Sequence, residues 1–244
     1  MELSIRLKSV AEMVTPESRV ADVGCDHGYV SIYLVRNGIA THAIAMDINA
    51  GPLASARQNV EREGLAAYIE TRRSDGLKML ESGEADTVIC AGMGGRLTIR
   101  ILSEGDVLAK GVRELILQPQ SEIGLVRKYL YENDFVITAE KMVIDDGKYY
   151  QMMRAQPAEE DDAALEGGKT LSEAEAWYGP CLLAEKNRIL LLFLRREREK
   201  CREIIGRIEK NSPEKSGNIK EKCLLIEEAL AGYTNEMQTD YGNA

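Results

Sequence analysis

Val20-Ala21-Asp22-Val23-Gly24-Cys25-Asp26-His27-Gly28-Tyr29 is an apolar run that meets a glycine-containing turn and opens a helical segment. Strand, tight turn and helix in that order form the first unit of an open α/β sheet, with a ligand site at the helix N-terminus. Upstream, Leu3, Leu7, Val10 and Val14 share one helical face before Thr15-Pro16, which predicts a leading helix. Downstream, Arg19–Val23 as a first strand is followed by runs at His42–Met46, Tyr68–Thr71, Asp86–Cys90, Glu114–Leu117, Phe135–Ala139 and Tyr149–Arg154. Helical periods separate most of them, one opened by Pro52 and carrying Leu53, Ala56 and Val60, another carrying Ile123, Val126 and Leu130. The alternation predicts an α/β, Rossmann-like domain with a seven-stranded, mostly parallel sheet over residues 1–157.

The periodic pattern stops at Gln156–Thr170, an acidic, Ala- and Gly-containing stretch that reads as a linker. Beyond it, residues 158–244 read as linker plus two helices. One spans Ser172–Asn211 with Leu190, Leu194, Cys201, Ile204 and Ile208 along a seam, and the other carries Ile219, Cys223, Ile226, Leu230 and Tyr233. A turn at Asn211–Asn218 makes an antiparallel coiled-coil hairpin the expected way to bury both stripes.

Forty acidic against 31 basic residues give a formal charge of -9, which excludes neither an anionic nor a cationic ligand until the charge is mapped. Arg195–Lys210 holds seven basic and four acidic residues, so it reads either as a phosphate-facing stripe or as an ordinary solvated coiled-coil face. Five scattered cysteines suit a reducing cytoplasm and neither a disulfide framework nor a zinc site. The longest apolar run, Ile189–Leu194, is far short of the roughly 20 residues that span a bilayer. No membrane association and no metal are expected.

In the opening motif, Asp26 stands where dinucleotide-binding turns place a second glycine. A pyrophosphate would be repelled there. S-adenosylmethionine, with a sulfonium and an ammonium group, would not. Asp22 is placed for the ammonium, Asp47 for ribose hydroxyls and Asp75 for an adenine amino group, all at the carboxyl edge of neighbouring strands. The competing reading of the three is as helix caps and turn residues. Ala91-Gly92-Met93-Gly94-Gly95 follows the fourth strand, where three glycines permit close backbone approach to the acceptor or simply make a tight turn. Gln118-Pro119 follows the fifth strand, and its amide is a candidate base reader.

Leu3-Ser4-x-Arg6-Leu7, Asp22-x-Gly24-x-Asp26-His27-x-Tyr29, Ala91-Gly92-Met93-Gly94-Gly95, Leu117-Gln118-Pro119 and the terminal hairpin together resemble the bacterial tRNA (adenine-22-N1)-methyltransferase family over nearly the whole chain. The resemblance implies a class I methyltransferase domain followed by a coiled-coil domain, S-adenosylmethionine as cofactor, tRNA as partner and Asp26 as the acidic catalytic residue. On that reading Asp26, Tyr29 and Gly94 are catalytic. The cofactor is held by Arg6, Asp22, Gly24, Cys25, Asp26, His27, Asp47, Ile48, Asp75, Gly76, Ala91, Gly92 and Met93, and tRNA by Gln118, Pro119, Arg195, Arg196 and Arg198. A cytoplasmic monomer or weak homodimer is expected. Two alternatives stay open: methylation of a small molecule or protein, and a cofactor-binding interaction protein without turnover.

Overall fold

The computed structural model describes residues 2–158, 171–211 and 217–233. Most of the expected linker and the turn at 212–216 lie outside them, as does the side chain of Ile208. The chain packs as two compact units, Met1–Lys169 and Thr170–Ala244.

The first unit is a seven-stranded sheet: β1 (Ser18–Val23), β2 (Ala40–Asp47), β3 (Ile69–Arg73), β4 (Thr87–Met93), β5 (Glu114–Pro119), β6 (Phe135–Asp145) and β7 (Lys148–Pro157). Their spatial order is β3-β2-β1-β4-β5-β7-β6, and β7 runs antiparallel to both neighbours while the other pairings are parallel. The seven-stranded, mostly parallel expectation therefore holds. The strand order reverses between β1 and β4, the switch point at which open α/β sheets bind ligands. Central strands are covered on both faces, so β5 is buried at all six positions. β6 and β7 extend beyond the expected runs because Asp146 and Gly147, at φ 48° and 69°, make the two-residue turn that a twisted hairpin needs.

Helices α1 (Ile5–Ala11), α2 (Tyr29–Arg36), α3 (Ala50–Arg62), α4 (Gly95–Gly105) and α5 (Ile123–Glu132) pack on the sheet. α2, α3, α4 and α5 start just after β1, β2, β4 and β5, so their N-termini gather at the carboxyl edge. α1 is shorter than expected and Leu3 and Val14 lie outside it, although Val10, Met13 and Val14 are all buried.

In the second unit the expected single helix over Ser172–Asn211 is three: α6 (Glu173–Tyr178), α7 (Pro180–Ala184) and α8 (Arg188–Asn211). Gly179, at φ 98°, ends α6 and Pro180 starts α7 at a position that needs no N–H donor. Lys186 takes φ 51°, and the Asn187 side chain then accepts from the backbone N–H groups of Ile189 and Leu190 to cap α8. α9 (Gly217–Ala231) packs on α8. The Tyr233 hydroxyl donates to the Asn187 carbonyl at 3.1 Å, and the Cys201 and Cys223 thiols meet further along, so the two helices run antiparallel. Leu190, Leu194, Cys201, Ile226 and Leu230 are buried in the seam. Ile204 is 41% exposed, and Ile205, four residues after Cys201, is the half-buried residue in its place.

Candidate active site

At the end of β1, Asp22 is buried and accepts a hydrogen bond from the Ser31 hydroxyl at 2.8 Å. Burial pushes its carboxyl up to about 6, against the lowering effect of Ser31 and with a further push from Asp47. Gly24, at φ 72°, turns the chain so that the N–H groups of Gly24 and Cys25 both donate to the Met46 carbonyl. The β1 turn is thereby tied to the end of β2. Burial and the surrounding carboxylates push the Cys25 thiol far up, which makes it a packing residue and not a nucleophile.

Asp26 takes φ 51°, a conformation Asp and Asn tolerate better than other side chains, and its carboxylate is 69% exposed. His27 Nε2 lies 3.5 Å from Asp26 Oδ1, and the His27 ring stacks on Tyr29 at 5.4 Å. Asn59 on α3 donates to the His27 carbonyl at 2.9 Å. At Gly28 a Cβ would sit 3.2 Å from that of Ala56, so α2 and α3 approach closely beneath the turn.

Asp47 ends β2, buried, and accepts from the Asn49 N–H at 2.8 Å. Ile48 beside it is 51% exposed, an apolar side chain on the rim. Ser74 donates its N–H to the Asp47 carbonyl, which brings Ser74-Asp75-Gly76 alongside. Asp75, expected to accept from an adenine amino group, is already engaged by two side chains. Lys78 Nζ at 2.6 Å and Arg100 Nη2 at 3.1 Å each hold one of its oxygens, and these cations keep the carboxyl below its ordinary range. Only remaining lone pairs are left for a ligand.

The expected loop from Ala91 is partly strand, since β4 runs on to Met93. Ala91 pairs with Gln118 and Met93 with Pro119, so Gly92, at φ 83°, is the extra residue of a bulge. Gly94 is the N-cap of α4. A Cβ on Gly95 would fall 2.5 Å from the Ser121 carbonyl oxygen, so only glycine lets α4 start against the chain that follows β5. Met93 Cε comes within 3.1 Å of the Cβ position of Gly24, and the Met93 carbonyl accepts from Gln120 N–H at 2.9 Å. The turns after β1, β4 and β5 thus form one continuous rim.

Arg6 reaches this rim from α1. Its backbone N–H donates to Asp145 Oδ2 at 3.0 Å, its guanidinium lies over the Tyr150 ring at 5.5 Å, and Nη1 donates to Gln118 Oε1 at 2.8 Å. The same nitrogen is 3.3 Å from the Cβ position of Gly92. Gln118 is therefore corrected: it is fully buried and its carbonyl oxygen is engaged by Arg6, so it supports a cation where it was expected to read a base. Pro119 is buried as well. The exposed amide at this edge is Gln120, which the sequence did not single out. Asp145 and Tyr150 were also missed.

The remaining expected site residues belong to the second unit. Arg196 is exposed and Arg195 half-buried. Arg198 lies 3.8 Å from Glu227, and its Nε is buried without a hydrogen-bond partner. Arg202 pairs with the same Glu227 at 2.9 Å, so part of the basic stripe is neutralised across the hairpin. Among the described residues no cluster of three or more His, Cys, Asp or Glu side chains suits a metal ion, and no helix is long and apolar enough to cross a membrane.

Residues 3–153 match the family model of a methyltransferase domain. The chain is 39% identical over 191 residues to the tRNA (adenine(22)-N(1))-methyltransferase of Bacillus subtilis strain 168, covering 78% of this chain and 79% of that one. The crystal structure of the B. subtilis m1A22 tRNA methyltransferase TrmK is similar with a TM-score of 0.82 at 35% identity, over 94% of this chain and 99% of that one. The M. capricolum TrmK structure, in complex with S-adenosyl-homocysteine, is similar with a TM-score of 0.80 at 26% identity, over 95% and 99% of the two chains.

Proposed function

The chain belongs to the tRNA (adenine(22)-N(1))-methyltransferase family, and we propose from its site how it transfers the methyl group of S-adenosylmethionine to N1 of adenine 22 in tRNA. The observation that carries the assignment of roles is the carboxylate set Asp22, Asp26 and Asp47 on the β1 and β2 edge, beside an exposed Ile48. Such a set suits a sulfonium donor and would repel a pyrophosphate. S-adenosylmethionine, when bound, supplies an electrophilic methyl group on its sulfonium sulfur.

Asp22, once ionised, accepts from the methionine ammonium, and Asp47 accepts from the ribose hydroxyls. Ile48 packs on the donor's adenine, with the segment from Ser74 to Gly76 along its edge. Arg6, held from behind by Gln118, is the cation for the methionine carboxylate. On the acceptor side, the N1 lone pair of neutral adenine needs no deprotonation before attack. Positive charge moves onto the ring as the methyl transfers. Asp26 accepts a hydrogen bond from N6 and stabilises that charge where it develops. Tyr29 stacks on the base, and Gly94 keeps the β4 turn low enough for N1 to approach in line. N1 lies on the pairing edge, so the base must leave its tRNA contacts before reaction. Residues 1–157 carry this chemistry and residues 158–244 help to hold tRNA, with the exposed Arg196 and its neighbours Arg195 and Arg198 facing phosphate.

Transfer of labelled methyl into unmodified tRNA, with the product mapped by mass spectrometry, tests the assignment. Label at any position other than N1 of A22 overturns it. Asp26→Asn keeps the backbone conformation and the size of the side chain but removes the charge. It is expected to lower kcat roughly 100-fold while donor affinity stays within about threefold of the parent. Full turnover in that variant removes Asp26 from the mechanism. Neutralising Arg195, Arg196 and Arg198 together is expected to weaken tRNA binding and flatten the slope of log K against log salt, by about one unit for each phosphate that is no longer neutralised. An unchanged slope would place the phosphate-binding cations elsewhere.

A further inference from the structure

At the Gly92 bulge, where φ is 83°, two side-chain hydrogen-bond donors close in on the bare backbone. Arg6 Nη1 lies 3.3 Å and Gln120 Nε2 3.8 Å from the position a Cβ would take there. Arg6 is already committed to Gln118 on its inner side. Gln120 is exposed, and among the described residues its amide makes no hydrogen bond, whereas its backbone N–H is fixed to the Met93 carbonyl at 2.9 Å. The main chain is thus held while the side chain is left free.

Strand order decides which part of a base such an amide meets. β4 lies between β1 and β5, so Asp26, after β1, and Gln120, after β5, flank the β4 turn from opposite sides. With N1 turned towards the methyl donor over β1, one N6 hydrogen faces Asp26. The other N6 hydrogen and N7 then face β5. A carboxamide offers one acceptor and a donor side by side, which matches adenine N6–H and N7; guanine presents two acceptors on that edge.

We propose that Gln120 determines base specificity by hydrogen-bonding N6 and N7 of the acceptor adenine. The inference rests on the function proposed above and adds an interaction with the edge that does not react. The test compares unmodified tRNA with tRNA carrying 7-deazaadenine at position 22, which lacks the N7 acceptor but keeps N1 and N6. The parent enzyme is expected to lose on the order of tenfold in kcat/KM on the deaza substrate. Gln120→Ala is expected to lose a similar factor on ordinary tRNA and to suffer no further loss on the deaza substrate, with donor affinity and thermal midpoint unchanged.

Two outcomes overturn the proposal: Gln120→Ala as active as the parent, or penalties of substitution and deaza base that multiply. A parent enzyme that methylates neither tRNA overturns the underlying function, and this inference with it. A parent active on ordinary tRNA separates the two failures.

Discussion

Replacing Asp22 by Asn is expected to make the ligand-free protein more stable and to abolish useful donor binding. Asp22 is 4% exposed, and burial sets its carboxyl at about 6 where the ordinary value is 3.8. A folded-state pKa raised above the unfolded one means that the fold favours the neutral acid. The stabilising contribution is complete below the unfolded pKa and is lost as pH rises through about 6. Near pH 7.5 the ionised side chain therefore opposes folding by about 2–3 kcal/mol, at 1.36 kcal/mol per pKa unit. Asn keeps the acceptor for Ser31 and has no charge to bury, so denaturant unfolding at pH 7.5 is expected to show a gain of about 1–3 kcal/mol. Donor affinity is expected to fall roughly 100-fold, since a charge-assisted hydrogen bond inside a site is worth about 1.5–3 kcal/mol. Donor affinity of the parent is expected to rise with pH up to about 6 and then level off, whereas that of Asp22→Asn stays flat. Equal donor affinity in the two proteins, measured by calorimetry at pH 7.5, would mean that the ammonium binds elsewhere.

That cost also explains why the residue was legible from sequence. An acid at the end of an apolar strand, before a glycine turn, breaks the pattern of the strand and carries a folding penalty there. Local periodicity carried the rest of the sheet for the same reason: strand, turn and helix signals each span a few residues. Pairings across the chain were not legible. Lys78, three residues from Asp75, could be anticipated on a turn, but Arg100, 25 residues away, could not. Asp145 meets the backbone of Arg6 across 139 positions. Gln118 and Gln120 look alike in sequence and differ only in where β5 ends. The Gly179-Pro180 pair carries a local break signal that the expectation of one helix over Ser172–Asn211 did not use.

The buried ion pair behind the site leads to the largest expected loss of stability. Arg127 on α5 is fully buried. Its Nε donates to Glu140 Oε1 on β6 at 2.8 Å and its Nη2 to Gln151 Oε1 on β7 at 2.7 Å. Glu140 has no exposed side-chain surface either. An exposed pair such as Lys141–Glu12, at 3.4 Å with both side chains over 40% exposed, contributes little in water. Arg127→Met is different in kind, because it removes the countercharge of the buried Glu140 carboxylate and the guanidinium donor to Gln151 Oε1. The expected cost is about 3–5 kcal/mol, a large part of the roughly 5–15 kcal/mol that a domain has. The double variant Arg127→Met with Glu140→Leu removes both charges and is expected to recover most of the loss, since well-packed apolar groups replace buried ion pairs at little or no cost.

The loss should reach the site as well as the fold. The two strands that Arg127 ties to α5 also carry Asp145 and Tyr150, which hold Arg6. Arg127→Met is therefore expected to weaken donor binding even at temperatures where the protein stays folded, and the double variant to restore it together with the midpoint. Restored stability without restored donor affinity would show that Arg6 does not depend on the β6 and β7 hairpin for its position.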